Sequence, residues 1–296
     1  NRNYNPAGEI YDENGNKTGF YNNQVDNYKQ NHIQILWDQE INSLTNLSFG
    51  YNFTHGYGFY EEYNDKWYVE NISFGNETNF KYLNLKPFEV GNTIISNTEN
   101  ITQKWLDNYF NVLTLRVNYL KNYTNLNFGG MYSVYDGDHY GSLVWGQNIP
   151  YDLINNKFYE NKGIKKELSF FIKLNQTISS KTSIYLDAQI RTLNYSIDGT
   201  IKGPELFKVN DSFVFFNPKV GITHNINDLN NLYFSYGKAK REPNRSDYKN
   251  GNPVSETLYD FEFGWRYLNN MINIKSNFYW MEYFNQLALT GAIDDV

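Results

Sequence analysis

The sequence predicts an all-β fold, an antiparallel transmembrane β-barrel contributing about ten consecutive strands, and three observations carry that expectation. Short runs alternate apolar and polar residues with period two. Very tight turns join them on one side and long aromatic-rich segments on the other. Aromatic residues make up 18% of the chain, and cysteine is absent. Period two gives a strand one apolar and one polar face. A soluble sandwich shares that alternation. The asymmetry of the connections favours a barrel of the outer-membrane type, with short turns at one rim and longer loops at the other.

The first strand covers roughly 25–41, with Ile33, Ile35 and Trp37 on one face and Gln34 and Asp38 on the other. A turn over 42–46 leads into Leu47, Phe49, Tyr51 and Phe53, which alternate with Ser48, Gly50, Asn52 and Thr54. A long segment of mixed polarity, about 62–107, precedes strand three at about 108–120. There Leu113, Leu115, Val117 and Tyr119 give the clearest alternation of the chain. The turn 121–124 leads to strand four (Leu126, Phe128, Gly130, Tyr132, Val134), and a second long loop spans about 141–163.

Strand five presents Leu168, Phe170, Ile172 and Leu174. After the turn 179–182, strand six sets Ile184, Leu186, Ala188 and Ile190 against Tyr185, Asp187, Gln189 and Arg191. Strand seven carries Phe216, Val220 and Ile222, and strand eight, past 227–230, carries Leu232, Phe234 and Tyr236. The last hairpin pairs Phe261, Phe263, Trp265 and Tyr267 with Ile272, Ile274, Phe278 and Trp280. The tight turns are rich in Asn, Asp and Ser, which tolerate left-handed backbone or bond their own main chain. The apolar faces are expected to meet lipid. The opposite faces hold Arg116, Asp187, Arg191, Lys219, Asp260 and Glu262, which unpaired in a dry sandwich would be prohibitive. They call for a wet lumen.

Mean hydropathy is −0.66 and the hydrophobic fraction 40%, as suits a barrel in which only every second strand residue must be apolar. No run approaches the roughly 18 apolar residues of a membrane helix. A net charge of −6, from 26 basic and 32 acidic residues, excludes a nucleic-acid partner. Asp12, Glu13, Asn14, Gly15 and Asn16 loosely follow the start of a calcium loop, but the glycine is early and the closing Glu is missing; a plain hairpin turn is expected. His32, His55, His139 and His224 lack metal-ligand spacing. No nucleophile elbow, phosphate loop or metalloprotease helix occurs, so neither an enzyme nor a cofactor is expected.

The run 236–248, through Tyr236, Gly237, Arg241, Glu242, Pro243, Asn244, Arg245, Asp247 and Tyr248, resembles the strand-end motif of TonB-dependent outer-membrane receptors of the Bacteroidetes type. So do three more stretches. One runs from Tyr4, Asn5, Pro6, Ala7 and Gly8 through Asp26, Asn27 and Tyr28 to Trp37. The second joins 256–260 with Gly264, Trp265, Arg266 and Tyr267, and the third is 287–291. The resemblance covers the whole chain. It implies a roughly 22-stranded barrel filled by an N-terminal plug domain, with energy supplied by the TonB complex through a plug segment. Residues 1–296 then form part of one barrel domain with the plug absent from this sequence.

The resemblance further implies import of a scarce, bulky nutrient, a ferric siderophore, haem or other iron chelate first. Cobalamin or an oligosaccharide is the alternative cargo. A complete small outer-membrane barrel enzyme or adhesin, and a soluble carbohydrate-binding sandwich, are the alternatives of other classes. Expected partners are the nutrient, outer-membrane lipid and a surface lipoprotein. Tyr57, Phe59, Tyr60, Trp67, Tyr68 and Trp145 are read as aromatic platforms for a large amphipathic ligand. Arg241, Glu242, Pro243, Asn244, Asp247 and Tyr248 are expected to hold their loop against the wall, with Pro243 marking the end of a ladder. The four charges Arg241, Glu242, Arg245 and Asp247 are expected to satisfy one another. The alternative for Arg245 is contact with an anionic ligand.

Overall fold

The computed structural model describes residues 9–22, 26–71, 78–249 and 251–286. Residues 4–8 and 287–291, which carry part of the family resemblance, and Val25 of the expected first strand lie outside them. In chain order, a small hairpin β1 (Glu9–Tyr11) and β2 (Lys17–Phe20) precedes β3 (Asp26–Asn42) and β4 (Thr45–Asn64). Helices α1 (Lys66–Asn71) and α2 (Asn79–Tyr82) and a hairpin of β5 (Phe88–Val90) and β6 (Thr93–Ile95) follow. Then come β7 (Asn100–Lys121), β8 (Thr124–Gly146), β9 (Lys157–Ser179), β10 (Thr182–Gly199), β11 (Val209–Asn225) and β12 (Asn230–Arg241). Helix α3 (Arg245–Lys249), β13 (Glu256–Leu268) and β14 (Asn273–Phe284) end the series.

Ten strands form one antiparallel sheet in the order β14-β13-β12-β11-β10-β9-β8-β7-β4-β3. It is open, with β3 and β14 as its edges. Each expected tight turn is present, and most are held by the side chain that made it legible. The Asn42 side-chain oxygen accepts from Leu44 N at 2.9 Å, Asn227 from Leu229 N at 3.0 Å and Asn269 from Ile272 N at 2.7 Å. Asn122 takes the left-handed φ of 48° that lets β7 fold straight into β8. At the first hairpin, Asp12 Oδ1 accepts from Asn14 N and Asn16 N while Gly15 adopts φ 79°, the plain turn anticipated there.

Register settles the faces. Leu115 stands between Phe49 and Gly130, Leu186 between Leu174 and Val220, and Phe261 between Tyr236 and Trp280. Leu115, Phe170, Ile172, Phe216 and Phe263 are 44–56% exposed on this face. So much contiguous apolar surface is untenable in water and is what lipid covers. The opposite face pairs Asp187 with Lys173 and Lys219, and Gln189 with Phe171 and Asn217.

The strands run further than the alternation suggests. β7, β8 and β9 hold 22, 23 and 23 residues, whereas about 9–11 tilted residues cross a bilayer. The long connections therefore shrink to 65–99, 147–156, 200–208 and 242–255. Past the lipid both faces of a strand meet water or loops, so the apolar–polar contrast that identifies it disappears.

Candidate functional site

At the loop end, the inner faces of β4 and β7–β11 form the wall of a basin, and the connections fold over it. Lys104 projects inward from β7. Its Nζ pairs with Glu62 Oε2 at 2.8 Å and lies 5.2 Å from the Tyr60 ring centroid. Helix α1 brings Tyr68 into the field of Glu62 and Lys104. Burial, then the Glu62 charge, pushes the Tyr68 phenol above its ordinary pKa. The α2 segment enters through a cluster of Leu83, Leu143 and Phe158, which sets Tyr82 against Phe158 at 5.3 Å and next to Lys104. Burial dominates at Tyr82 also and raises its phenol.

The 242–249 segment closes the other side. Glu242 accepts from Lys165 Nζ at 2.6 Å and meets the Arg191 guanidinium at 3.4 Å. Tyr248 donates to Asp211 Oδ2 at 2.6 Å and packs on Tyr195, beside the apolar cluster of Ile197, Phe207 and Val209. Burial on its own works to raise the Glu242 carboxyl. The Lys165 hydrogen bond, with the charges of Lys165 and Arg191, overrides it and holds the group below the usual carboxylate value.

Arg245 is placed differently. Its Nη2 donates to Asn161 Oδ1 at 2.6 Å and its guanidinium lies 5.4 Å from the Phe207 ring. Its charge is felt at Tyr135, His139, Tyr159 and Tyr195 on the wall. Among the described residues no carboxylate lies within ion-pair distance of Arg245, Lys249 or Lys202. Lost hydration, then the charges of Arg245, Lys202 and Lys104, pushes the Lys249 ammonium below its ordinary pKa. Beside its paired cations the basin thus holds three, Arg245, Lys249 and Lys202, with no carboxylate in ion-pair distance among the described residues, in a setting of tyrosines. Chemically, it favours a large anion with aromatic or apolar surface.

Of the residues singled out in the sequence, Tyr60, Tyr68 and Arg245 come together here. Tyr57 and Phe59 do not. They lie on β4, not in a loop, on the outward face opposite Asp107 and Trp105. Trp145 stands near the end of β8 opposite Ile101, 41% exposed. Trp67 packs on Tyr11, 4.8 Å between rings, under the β1–β2 turn, where a side chain at Gly15 would collide with it. The four charges of the 241–248 segment do not pair with one another. Arg241 bonds Glu256 at 3.0 Å, Glu242 the wall, Arg245 Asn161, and Asp247 the backbone N of Asn244. β12 ends at Arg241, two residues before Pro243. Lys104, Tyr82, Tyr135, Tyr159 and Lys249 were not legible beforehand. The signal for the strand residues was the inward parity of β7–β9, continued past the last apolar residue.

A family model described as TonB dependent receptor-like, beta-barrel matches residues 1–296. Comparison with curated protein sequences finds no match. Among solved structures, the fold resembles the closed form of the ferric-catecholate import receptor Fiu from Escherichia coli K12. That match has a TM-score of 0.60 at 10% identity and covers 90% of this chain and 42% of that one. It also resembles the siderophore receptor PiuA from Acinetobacter baumannii, with TM-score 0.58, 14% identity, and coverage of 86% and 40%. A third match is the copper transporter OprC, with TM-score 0.55, 12% identity, and coverage of 86% and 38%. At such identities the likeness is one of fold, and the chain spans about two fifths of the length of these receptors. The family is one of receptors and transporters of the Gram-negative outer membrane. With its tight turns at one rim, its long loops at the other and its lipid-facing band, the chain belongs to the TonB-dependent receptor β-barrel family.

Proposed function

We propose that the whole protein imports an anionic iron chelate, a ferric siderophore first, driven through TonB across a barrel filled by a plug domain. The observation that carries this reading is the basin at the loop end. Among the described residues, Arg245, Lys249 and Lys202 have no carboxylate within ion-pair distance there, while Tyr135, Tyr159 and Tyr195 lie in the field of Arg245 and Tyr60, Tyr68 and Tyr82 gather about Lys104. Cations held near one another at reduced hydration repel, and an anionic cargo relieves that repulsion while its organic frame packs on the tyrosines.

The test is cargo binding by the full-length receptor, with ferric catecholate and ferric carboxylate siderophores as probes. Arg245→Ala is expected to weaken binding by about tenfold to a hundredfold, the worth of a charge-assisted hydrogen bond. Surface abundance should stay intact, because Glu242 and Tyr248 still hold the segment. Lost abundance with unchanged affinity would make Arg245 a structural residue. Unchanged affinity for both siderophores would point to an uncharged cargo such as cobalamin or an oligosaccharide.

A further inference from the structure

Arg245 is held in the basin by one buried amide. Asn161, on β9, is 2% exposed, and the two ends of its side chain are bound to different parts of the chain. Its Nδ2 donates to the Thr200 carbonyl at 2.7 Å, and its Oδ1 accepts from Arg245 Nη2 at 2.6 Å. The amide is oriented from behind. Thr200 follows the end of β10 and is clamped to β9, its N donating to Glu160 O at 2.7 Å and its Oγ1 accepting from Glu160 N at 3.0 Å. Gly199 allows this approach. Its φ is 137°, and a Cβ there would stand 2.2 Å from Glu160 O and 2.6 Å from Asn161 Cα.

An amide has a donating end and an accepting end. With the donating end held by a carbonyl, only the accepting end can face the guanidinium. A carboxylate of the same shape would turn one oxygen toward the Thr200 carbonyl and find no donor there. The site therefore selects a neutral partner for Arg245, one that holds the guanidinium and leaves its charge uncancelled. The wall around it follows the same rule. Asn161 and Gly163 on β9 stand opposite His139 and Gly137 on β8. The acids of these two strands at this height, Asp136, Asp138 and Glu160, occupy the alternate, outward positions, where Lys162 and Lys157 answer them.

We propose, resting on the import reading above, that Asn161 is a positioning residue that sets the charge selectivity of the basin. It orients Arg245 toward an anionic cargo and, being an amide, keeps the wall from neutralising that cation. Asn161 acts through Arg245 and does not itself touch the cargo. Its effect is therefore on which chelates bind, and a carboxylate beside the guanidinium should cancel the preference for anions without closing the basin.

The experiment gives the full-length receptor a carboxylate beside Arg245 in two ways. Asn161→Asp replaces the amide itself. Gly163→Asp leaves the bond between Asn161 and Thr200 alone. A Cβ at Gly163 would lie 3.7 Å from Arg245 Nη1 and, apart from its own chain neighbours, meet only Gly137 O at 4.0 Å. Gly163→Ala, in the same open space, is the uncharged control. Binding is measured with a ferric tris-catecholate trianion and an uncharged ferric tris-hydroxamate. Both aspartate variants are expected to lower affinity for the trianion about tenfold to a hundredfold and to leave the uncharged chelate within about twofold. Gly163→Ala should keep the wild-type ratio between the two. A parallel fall for both chelates makes Asn161 a packing residue and overturns the proposal, as does unchanged trianion affinity in both aspartate variants. A second readout needs no cargo: the rate at which phenylglyoxal modifies Arg245, followed by mass spectrometry. That rate should fall several-fold in both aspartate variants and hold in Gly163→Ala; equal rates throughout overturn the proposal. If wild type binds neither chelate while the rates differ as expected, the import reading fails and the role of Asn161 stands.

Discussion

Arg191 and Glu167 form a two-pronged ion pair across β9 and β10, Nε to Oε1 at 2.7 Å and Nη2 to Oε2 at 2.9 Å. Glu242 approaches the same guanidinium from the segment after β12, with Oε1 3.4 Å from Nη2 and Oε2 3.4 Å from Nη1. One side chain thus ties two strands of the wall to a loop that starts beyond β11 and β12. The planar guanidinium suits this arrangement, since it meets one carboxylate with a fork and keeps donors for a second.

Arg191→Met should therefore do more than remove a pair. Arg191 and Glu167 are only 17% and 11% exposed, and the change leaves two mostly buried carboxylates with Lys165 alone to answer them. The expected cost is about 2–4 kcal/mol, near the lower end for breaking a buried pair because the lumen is wet. Thermal unfolding of the full-length receptor measures it, and limited proteolysis over 242–249 should show the segment released. Arg191→Lys should restore only part, lacking the fork.

The hold on that segment is also acid-labile. In the folded protein Lys165 and Arg191 keep the Glu242 carboxyl below its ordinary value against the opposing effect of burial. A carboxyl depressed by folding contributes stability above its unfolded pKa, and that contribution is lost as pH falls through the folded value. Proteolytic cleavage of 242–249 should therefore be slow at neutral pH and rise as pH drops below the usual carboxylate range. Glu242→Gln should cleave faster at neutral pH with little further change in acid. A wild-type profile that stays flat well below that range would remove Glu242 as the latch.

Neighbouring residues of β10 should respond to a change of charge with costs of different size. Leu186, 42% exposed on the lipid face between Leu174 and Val220, has no polar surroundings to receive a cation. Leu186→Arg should cost about 2–4 kcal/mol near mid-membrane. Asp187 faces the lumen, accepts from Tyr185 at 2.6 Å and pairs with Lys173 at 3.4 Å. Asp187→Asn should cost less than about 1 kcal/mol, as expected for a pair in contact with water. Refolding into lipid vesicles under denaturant titration compares the two; equal costs would mean that both faces see the same medium.

The sequence by itself determined the strands that cross the membrane, their faces and their turns. Leu113, Leu115 and Val117 alternate with Thr114 and Arg116 because lipid and lumen are different solvents on the two sides of one strand. Asn42, Asn227 and Asn269 mark turns because their side chains bond the backbone locally. Both signals depend only on near neighbours in the chain. Only the tertiary structure decided which aromatic residues look into the basin and which look out. Tyr57, Phe59 and Tyr60 fall within four consecutive residues and are equally aromatic, yet the first two join Trp105 outside while Tyr60 meets Lys104 inside. Beyond the lipid no contrast of solvent separates the two faces, so parity must be carried up from the membrane through an unbroken ladder. Arg245 meets Asn161, and Lys249 feels Lys104, only because the sheet curls and the loops fold back across it. Contacts between residues so far apart in the chain leave no trace in any local pattern.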